Sequence, residues 1–181
     1  MAKAAIDSLF SLFDRFGGNE YGEDVTQLQH ALQSAALARL DGCDAPLIAA
    51  ALLHDIGQFI DDAGNAAERF GRDARHEELG FSVLSELFGE DVAVPVRLHV
   101  EAKRYLCHAR PGYRDTLSRA SLISLEVQGG AMTAEEAKAF EAHRYFADAV
   151  RLRGFDDRGK RRDWAVPDLE SYRTMLSALL R

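Results

Sequence analysis

Positive charge is in short supply: 22 lysines and arginines stand against 29 aspartates and glutamates in 181 residues, a formal net charge of −7. A general nucleic-acid binder is ordinarily basic, so this balance argues against that class of partner. Cysteine is scarcer still. Cys43 and Cys107 are the whole complement and form no CxxC pattern, which leaves no disulfide framework and fits a reducing compartment; neither is given a role. No apolar run approaches the length that spans a bilayer, and Met1 to Ala5 leads into the acidic, amphipathic stretch from Asp7 to Phe16 rather than into a signal-peptide core. A cytoplasmic protein without a membrane or nucleic-acid partner is expected, its oligomeric state left open.

Proline is also sparse, with 4 in the chain, and no long alternating run marks a strand. Repeated 3.6-residue periodicity then predicts an all-α protein. At 47% hydrophobic and 9% aromatic residues, the chain reads as one globular domain over 1–181. Ile6, Leu9, Phe10, Phe13 and Phe16 line a first helix ended by Gly17-Gly18. Tyr21 to Asp24 is a short loop, and Val25, Leu28, Leu32, Ala35, Ala36 and Leu40 form the next apolar face, with His30 among them.

Ile48 to Leu53 is a small-residue helical run with Asp44 as N-cap and Pro46 in its first turn. It ends by presenting His54 and Asp55 together, then stops at Gly57. Burying an imidazole and a carboxylate side by side is costly unless a metal or a charged partner compensates.

Asp61 to Arg75 is polar and reads as a loop that partly covers a site. His76 opens a helix with the face Leu79, Val83, Leu84, Leu87 and Phe88. Another runs from about Val92 to His108, with Pro95 in its first turn and His99 and Lys103 on it, and Pro111-Gly112 breaks it. Leu117 to Val127 is helical, and the capping box Thr133-Ala134-Glu135-Glu136 starts one helix through Phe140, Tyr145, Phe146 and Val150. Arg153 to Asp157 ends that segment, a polar loop follows, and Pro167-Asp168 opens a last helix through Leu169, Tyr172, Leu176 and Leu180. Arg151, Arg153, Arg158, Lys160, Arg161 and Arg162 make a basic stretch, read either as a solvated loop or as an attractor of anions.

Four histidines, His30, His54, His76 and His99, fall on four different predicted helices, each among apolar neighbours. One such histidine is ordinarily a satisfied core residue. Four converging in one bundle need a shared reason, and a metal centre supplies one because it uses neutral imidazole nitrogens. His108 and His143 lie outside the pattern and are read as surface or structural.

His30, then His54-Asp55, then Asp156 resembles the H…HD…D signature of the HD-domain superfamily, all-helical metalloproteins that are mostly phosphohydrolases. His76 and His99 between the HD pair and the last aspartate resemble the dinuclear members. The stretches Arg75 to Gly80, Arg97 to Leu106, Ser124 to Gly130 and Ala149 to Arg153 are similar to the HD proteins of phosphonate degradation. Those are mixed-valent di-iron oxygenases related to myo-inositol oxygenase, and the likeness runs from about Tyr21 to the C-terminus.

The resemblance implies a helical bundle with the metal centre in its core. His30, His54, Asp55 and Asp156 would bind one iron, and Asp55, His76 and His99 the other. It implies a mixed-valent Fe(II)/Fe(III) pair, O2 as co-substrate, and cleavage of the C–P bond of a small-molecule organophosphonate, a 1-hydroxy-2-(amino or trimethylamino)ethylphosphonate. The products would be phosphate and glycine or glycine betaine. Lys103 shares a helical face with His99, four residues on, and Arg153 precedes Asp156 by three. The resemblance implies that Lys103, Arg153 and Ser121 hold the phosphonate oxygens, as suits cations and a hydroxyl donor. It further implies a tyrosine, Tyr21, near the open iron and a glutamate, Glu23, near the substrate nitrogen. Gln58 departs from the pattern: amine-using relatives carry a histidine immediately after HDxG, and a neutral amide does not titrate near pH 7. Two other functions stay open, an HD phosphohydrolase acting on a nucleotide or other phosphate ester, and a catalytically silent HD module that binds a nucleotide.

Overall fold

The computed structural model describes residues 2–21, 24–60 and 75–181. Among these, ten α-helices follow one another: α1 (Ala2–Phe16), α2 (Gln27–Leu40), α3 (Ala45–Leu53), α4 (His76–Leu87), α5 (Glu90–Ala109), α6 (Tyr113–Thr116), α7 (Arg119–Val127), α8 (Ala134–Glu141), α9 (Phe146–Arg158) and α10 (Arg173–Leu179). Short 3-10 turns lie at Ile56–Phe59 and Leu169–Tyr172. The described residues contain no strand, only an isolated antiparallel bridge between Glu20 and Thr26. Among the described residues no helix is long and apolar enough to cross a membrane.

The bundle is built around α5, which packs most extensively on α9 and α4 and also on α3, while α2 lies against α3 and α9. α2 begins in a capping box, with the Thr26 hydroxyl accepting from the Gln29 N–H and the Gln29 side chain reaching back to the Thr26 N–H. Buried residues surround this helix instead of forming a stripe, as expected for a helix in the middle of a core. That placement alters the expected apolar face. Val25 is buried but precedes the helix, and Leu40, at the end where the core runs out, is 77% exposed.

α3 is apolar on all sides, and the Asp44 carboxylate accepts from the Leu47 N–H at its start. The helix ends at Leu53, and the chain turns through Asp55 into the 3-10 turn. Gly57 sits in that turn because nothing larger fits. A Cβ there would lie 1.9 Å from the His76 carbonyl oxygen, so the turn and the first residue of α4 are in backbone contact.

Other sequence expectations shift in the structure as well. α4 turns His76, Gly80 and Leu84 inward, leaving Leu79 and Val83 only half-buried. α5 starts at Glu90, which puts Pro95 in its second turn. The segment around Leu117 is two helices, with Leu117 extended between them and Ser118 capping α7. The helix expected from Thr133 through Val150 is also two. The turn between α8 and α9 brings Phe140 and Phe146 onto Tyr105, with ring centroids 5.5 and 5.0 Å away, while the Tyr145 hydroxyl reaches Asp91.

α9 then continues past the expected end at Arg153–Asp157 to Arg158. Gly154 does not stop it, because i,i+3 and i,i+4 ion pairs from Arg153 to Asp156 and Asp157 stabilise that turn. The basic stretch is therefore not a solvated loop as a whole: Arg151 pairs with Asp41, Arg153 is buried, and Lys160 lies against Asp156.

Candidate metal centre and anion pocket

The bundle carries His30 from the first turn of α2, His54 from the end of α3, His76 from the first residue of α4 and His99 from the middle of α5 to one buried point. Three of the rings are anchored by backbone carbonyls. His30 Nδ1 meets the Gly159 carbonyl at 2.9 Å, His54 Nδ1 that of Ala51 at 3.0 Å, and His99 Nδ1 that of Val96 at 2.6 Å. A carbonyl only accepts, so each of these rings carries its proton on Nδ1 and, when neutral, turns an Nε2 lone pair inward.

The Nε2 atoms face each other in pairs. His30 Nε2 lies 3.0 Å from His54 Nε2, and His76 Nε2 lies 3.2 Å from His99 Nε2. A proton between His30 and His54 would put a charge on a buried ring. Burial lowers the pKa of His54, and it pushes that of His99 down to about 3 with help from His76 and His54.

Asp55 stands between the two pairs. Its Oδ2 is 3.4 Å from His54 Nε2 and 3.7 Å from His30 Nε2, and its Oδ1 is 3.4 Å from His76 Nε2 and 3.9 Å from His99 Nε2. Asp156 adds Oδ1 at 3.4 Å from His30 Nε2. Burial opposes the charge on Asp55, but the histidines around it outweigh that and hold the carboxyl well below the usual range. Asp156 is likewise held low against its burial, chiefly by Arg153 and Lys160.

Asp55 Oδ2 is nevertheless buried without accepting a hydrogen bond. Opposed lone pairs and an orphaned carboxylate oxygen are what a cation site presents, and the groups His30–His54–Asp55 and Asp55–His76–His99 each have ligand atoms close enough to hold one metal ion. Asp55, with one oxygen toward each group, is shared.

A cavity opens onto this cluster, its lining including Tyr21, Gln58, Lys103, Ser121, Ser124 and Arg153 beside the ligand side chains. Lys103, one turn after His99 on α5, is buried and donates to Ser124 Oγ at 2.6 Å. Arg153 is buried too, its Nη1 2.8 Å from Asp156 Oδ2 and its Nη2 3.5 Å from Ser121 Oγ. Tyr21 stacks on His30 at 3.9 Å between centroids, with its hydroxyl 3.5 Å from Asp156 Oδ1. Gln58 accepts from Gln27 Nε2 at 3.1 Å.

All the sequence-derived site residues except Glu23 thus meet at one place; Glu23 and positions 61–74 of the expected loop lie outside the described residues. Sequence reasoning missed Ser124, Gln27, Lys160, Tyr113 and Asp157. Asp157 is four residues from Arg153 and Lys160 four from Asp156, a signal that counts only once α9 is known to continue to Arg158. Tyr113, whose hydroxyl accepts from Arg153 Nε, is brought in by the fold across 40 positions, and nothing local marks it.

Residues 28–128 match the family model described as HD domain. The chain is 44% identical over 176 residues to a hydroxymethylphosphonate dioxygenase of Gimesia maris, covering 97% of this chain and 88% of that protein. It is 40% identical over 176 residues to the 1-hydroxy-2-(trimethylamino)ethylphosphonate dioxygenase (glycine-betaine-forming) of Leisingera caerulea, covering 97% and 90%. An uncharacterized protein of Acanthamoeba polyphaga mimivirus is 35% identical over 175 residues, covering 94% and 80%.

Proposed function

The chain belongs to the HD domain family, and from that membership and its likeness to phosphonate dioxygenases we propose that it is a di-iron dioxygenase that breaks the carbon–phosphorus bond of a small 1-hydroxyphosphonate. The observation that carries this reading is the adjacency of two features, a donor set able to hold two metals around Asp55 and a wall of Lys103, Arg153, Ser121 and Ser124 suited to a phosphonate.

His30, His54, Asp55 and Asp156 would hold one iron and Asp55, His76 and His99 the other. Bound as a mixed-valent Fe(II)/Fe(III) pair, the irons would supply the oxygen-dependent oxidation that no side chain can perform. In the overall reaction C1 passes from the alcohol to the carboxylic acid level, its C–H and C–P bonds break, O2 is reduced, and phosphate leaves.

The residues of this chain bind and orient. Lys103 supplies a buried ammonium to the phosphonate oxygens, Arg153 directed N–H groups, and Ser121 a hydroxyl. Tyr21, stacked on His30, covers the ligand cluster from the loop side and keeps water from it. Gln58 bounds the part of the cavity beyond C1 with a neutral amide, and Glu23 is assigned to the substrate nitrogen where the substrate has one. Cytoplasmic location and a single domain over 1–181 belong to the same proposal, resting on cysteine usage and chain length.

The test is phosphate release by iron-loaded protein, with and without oxygen, from hydroxymethylphosphonate, 1-hydroxy-2-aminoethylphosphonate and its N-trimethyl analogue. Oxygen-dependent release from one of them is expected, and it names the C1 substituent. No release from all three with two irons bound, or oxygen-independent release from phosphate esters, overturns the reading in favour of an HD phosphohydrolase.

A further inference from the structure

Arg153 is bonded on all sides of its guanidinium. Its Nε donates to the Tyr113 hydroxyl at 3.2 Å, its Nη1 faces Asp156 Oδ2 at 2.8 Å, and its Nη2 faces Asp157 Oδ1 at 2.5 Å, with Ser121 Oγ at 3.5 Å. The ring is closed on the far side, where the Tyr113 hydroxyl donates to Asp157 Oδ2 at 2.5 Å.

Two carboxylates against one guanidinium leave Arg153 with no surplus positive charge. It serves an incoming anion by the direction of its remaining N–H bonds more than by its field. What matters for such a group is where it is held. Behind Tyr113 and Asp157 lies a second cavity, open to solvent and lined also by Leu106, Thr116, Val150 and Arg158, so on that side Arg153 is held through its bonds to these two residues.

From this arrangement we infer that Tyr113 and Asp157 are positioning residues for anion binding. Their mutual hydrogen bond fixes the guanidinium of Arg153 and ties the segment that carries Ser121 and Ser124 to α9. Tyr113 opens α6 at one end of that segment, and its ring packs with Leu117 and Leu125 in a small separate cluster. The Tyr113–Asp157 contact therefore sets the distance between the arginine donors on α9 and the serine hydroxyls on α7. The same bonds keep Arg153 on Asp156 Oδ2, so that Oδ1 alone faces His30. The inference rests on the assignment of Arg153 to phosphonate binding made above.

Methylphosphonate, which has the anion but no 1-hydroxyl to oxidise, is the probe. Its dissociation constant is measured by calorimetry on iron-loaded wild type, Tyr113→Phe, Asp157→Asn, Arg153→Lys and the Tyr113→Phe/Arg153→Lys double variant, with iron content and melting temperature followed alongside. Tyr113→Phe and Asp157→Asn are each expected to weaken binding on the order of tenfold at unchanged iron content, and to raise KM for phosphate release more than they lower kcat. In the Arg153→Lys background, Tyr113→Phe is expected to change binding less than about twofold, because the group it acts through is gone. Equal losses in both backgrounds, or no loss in either single variant, overturn the inference. Asp157→Asn, nearly isosteric, asks the same question if Tyr113→Phe does not fold. Failure of the wild type to bind methylphosphonate would fall on the assignment of the anion pocket itself; binding with additive variants would fall on the positioning role alone.

Discussion

His30 and His54 face each other through Nε2 atoms 3.0 Å apart, each ring pinned from behind by a backbone carbonyl. Neither ring can turn to relieve the opposition without giving up its Nδ1 hydrogen bond. His99, pinned in the same way by the Val96 carbonyl, faces His76 across 3.2 Å between Nε2 atoms, and Asp55 completes both pairs. The cost of assembling these groups falls on folding, and bound metal offsets it.

Metal removal is therefore expected to lower stability. At a free metal concentration about 100 times the dissociation constant, binding adds roughly 2.7 kcal/mol per site. For a chain of this length that is about 5–10 °C in melting temperature. Differential scanning calorimetry with iron and with chelator checks it; equal midpoints would contradict the cluster as a metal site. Asp55→Ala is expected to lose both irons and His99→Ala one, read by iron analysis of the purified variants.

Gly57→Ala tests the backbone contact behind His76. The added methyl meets the His76 carbonyl oxygen at 1.9 Å and the Gly80 nitrogen at 2.7 Å, backbone atoms that cannot swing aside. A loss of more than about 2 kcal/mol in urea unfolding is expected, together with a lower iron content, because His76 must shift with its backbone. A stable Gly57→Ala protein with two irons would show that the turn has room the structure does not.

The convergence of the four histidines was legible because each has apolar residues at helical spacing around it, and a buried imidazole is a conspicuous oddity there. Asp156 carried the resemblance to the HD pattern, but its setting was misjudged. Gly154 and the charges after it look like a helix end, whereas the Arg153–Asp156–Asp157 pairs carry α9 onward. The division between α8 and α9 was invisible, because Phe140, Tyr145 and Phe146 keep helical spacing across a turn that tertiary ring contacts impose. Leu40 fits an apolar periodicity and still points to water, because the helix outruns the core. Ser124 and Gln27 are ordinary polar residues until the fold puts Lys103 beside one and Gln58 beside the other.

Acid reaches a different part of the molecule through Glu136, the partner in the α8 capping box. The Thr133 backbone N–H and then Arg104 hold its pKa down, from 4.5 to about 2. A carboxylate whose pKa is depressed by folding contributes stability above its unfolded value and loses that contribution as pH falls through its folded one. The window is thus from about 4.5 down to about 2. Glu136→Gln should melt below wild type at pH 7, and the gap should close as pH falls through that range. Chelator in every sample keeps metal loss out of the comparison. A gap independent of pH would assign the loss to packing rather than charge.

Lys103 separates stability from function. It is 2% exposed, so the folded protein bears the desolvation of its ammonium, which donates to Ser124 Oγ at 2.6 Å. Lys103→Met keeps the stem and removes the charge. Hydrogen bonds to charged groups contribute about 1.5–3 kcal/mol, so the variant should bind phosphate or a phosphonate roughly 10- to 150-fold more weakly. Its melting temperature without anion should change by no more than a few degrees, since the methionine fills the space of the lysine stem and Ser124 Oγ keeps its own bond to the Ser121 carbonyl. Iron content should be unchanged, since Lys103 lies a full turn beyond His99. A variant that loses stability and binding together would make Lys103 a structural residue and leave Arg153 and Ser121 to hold the anion.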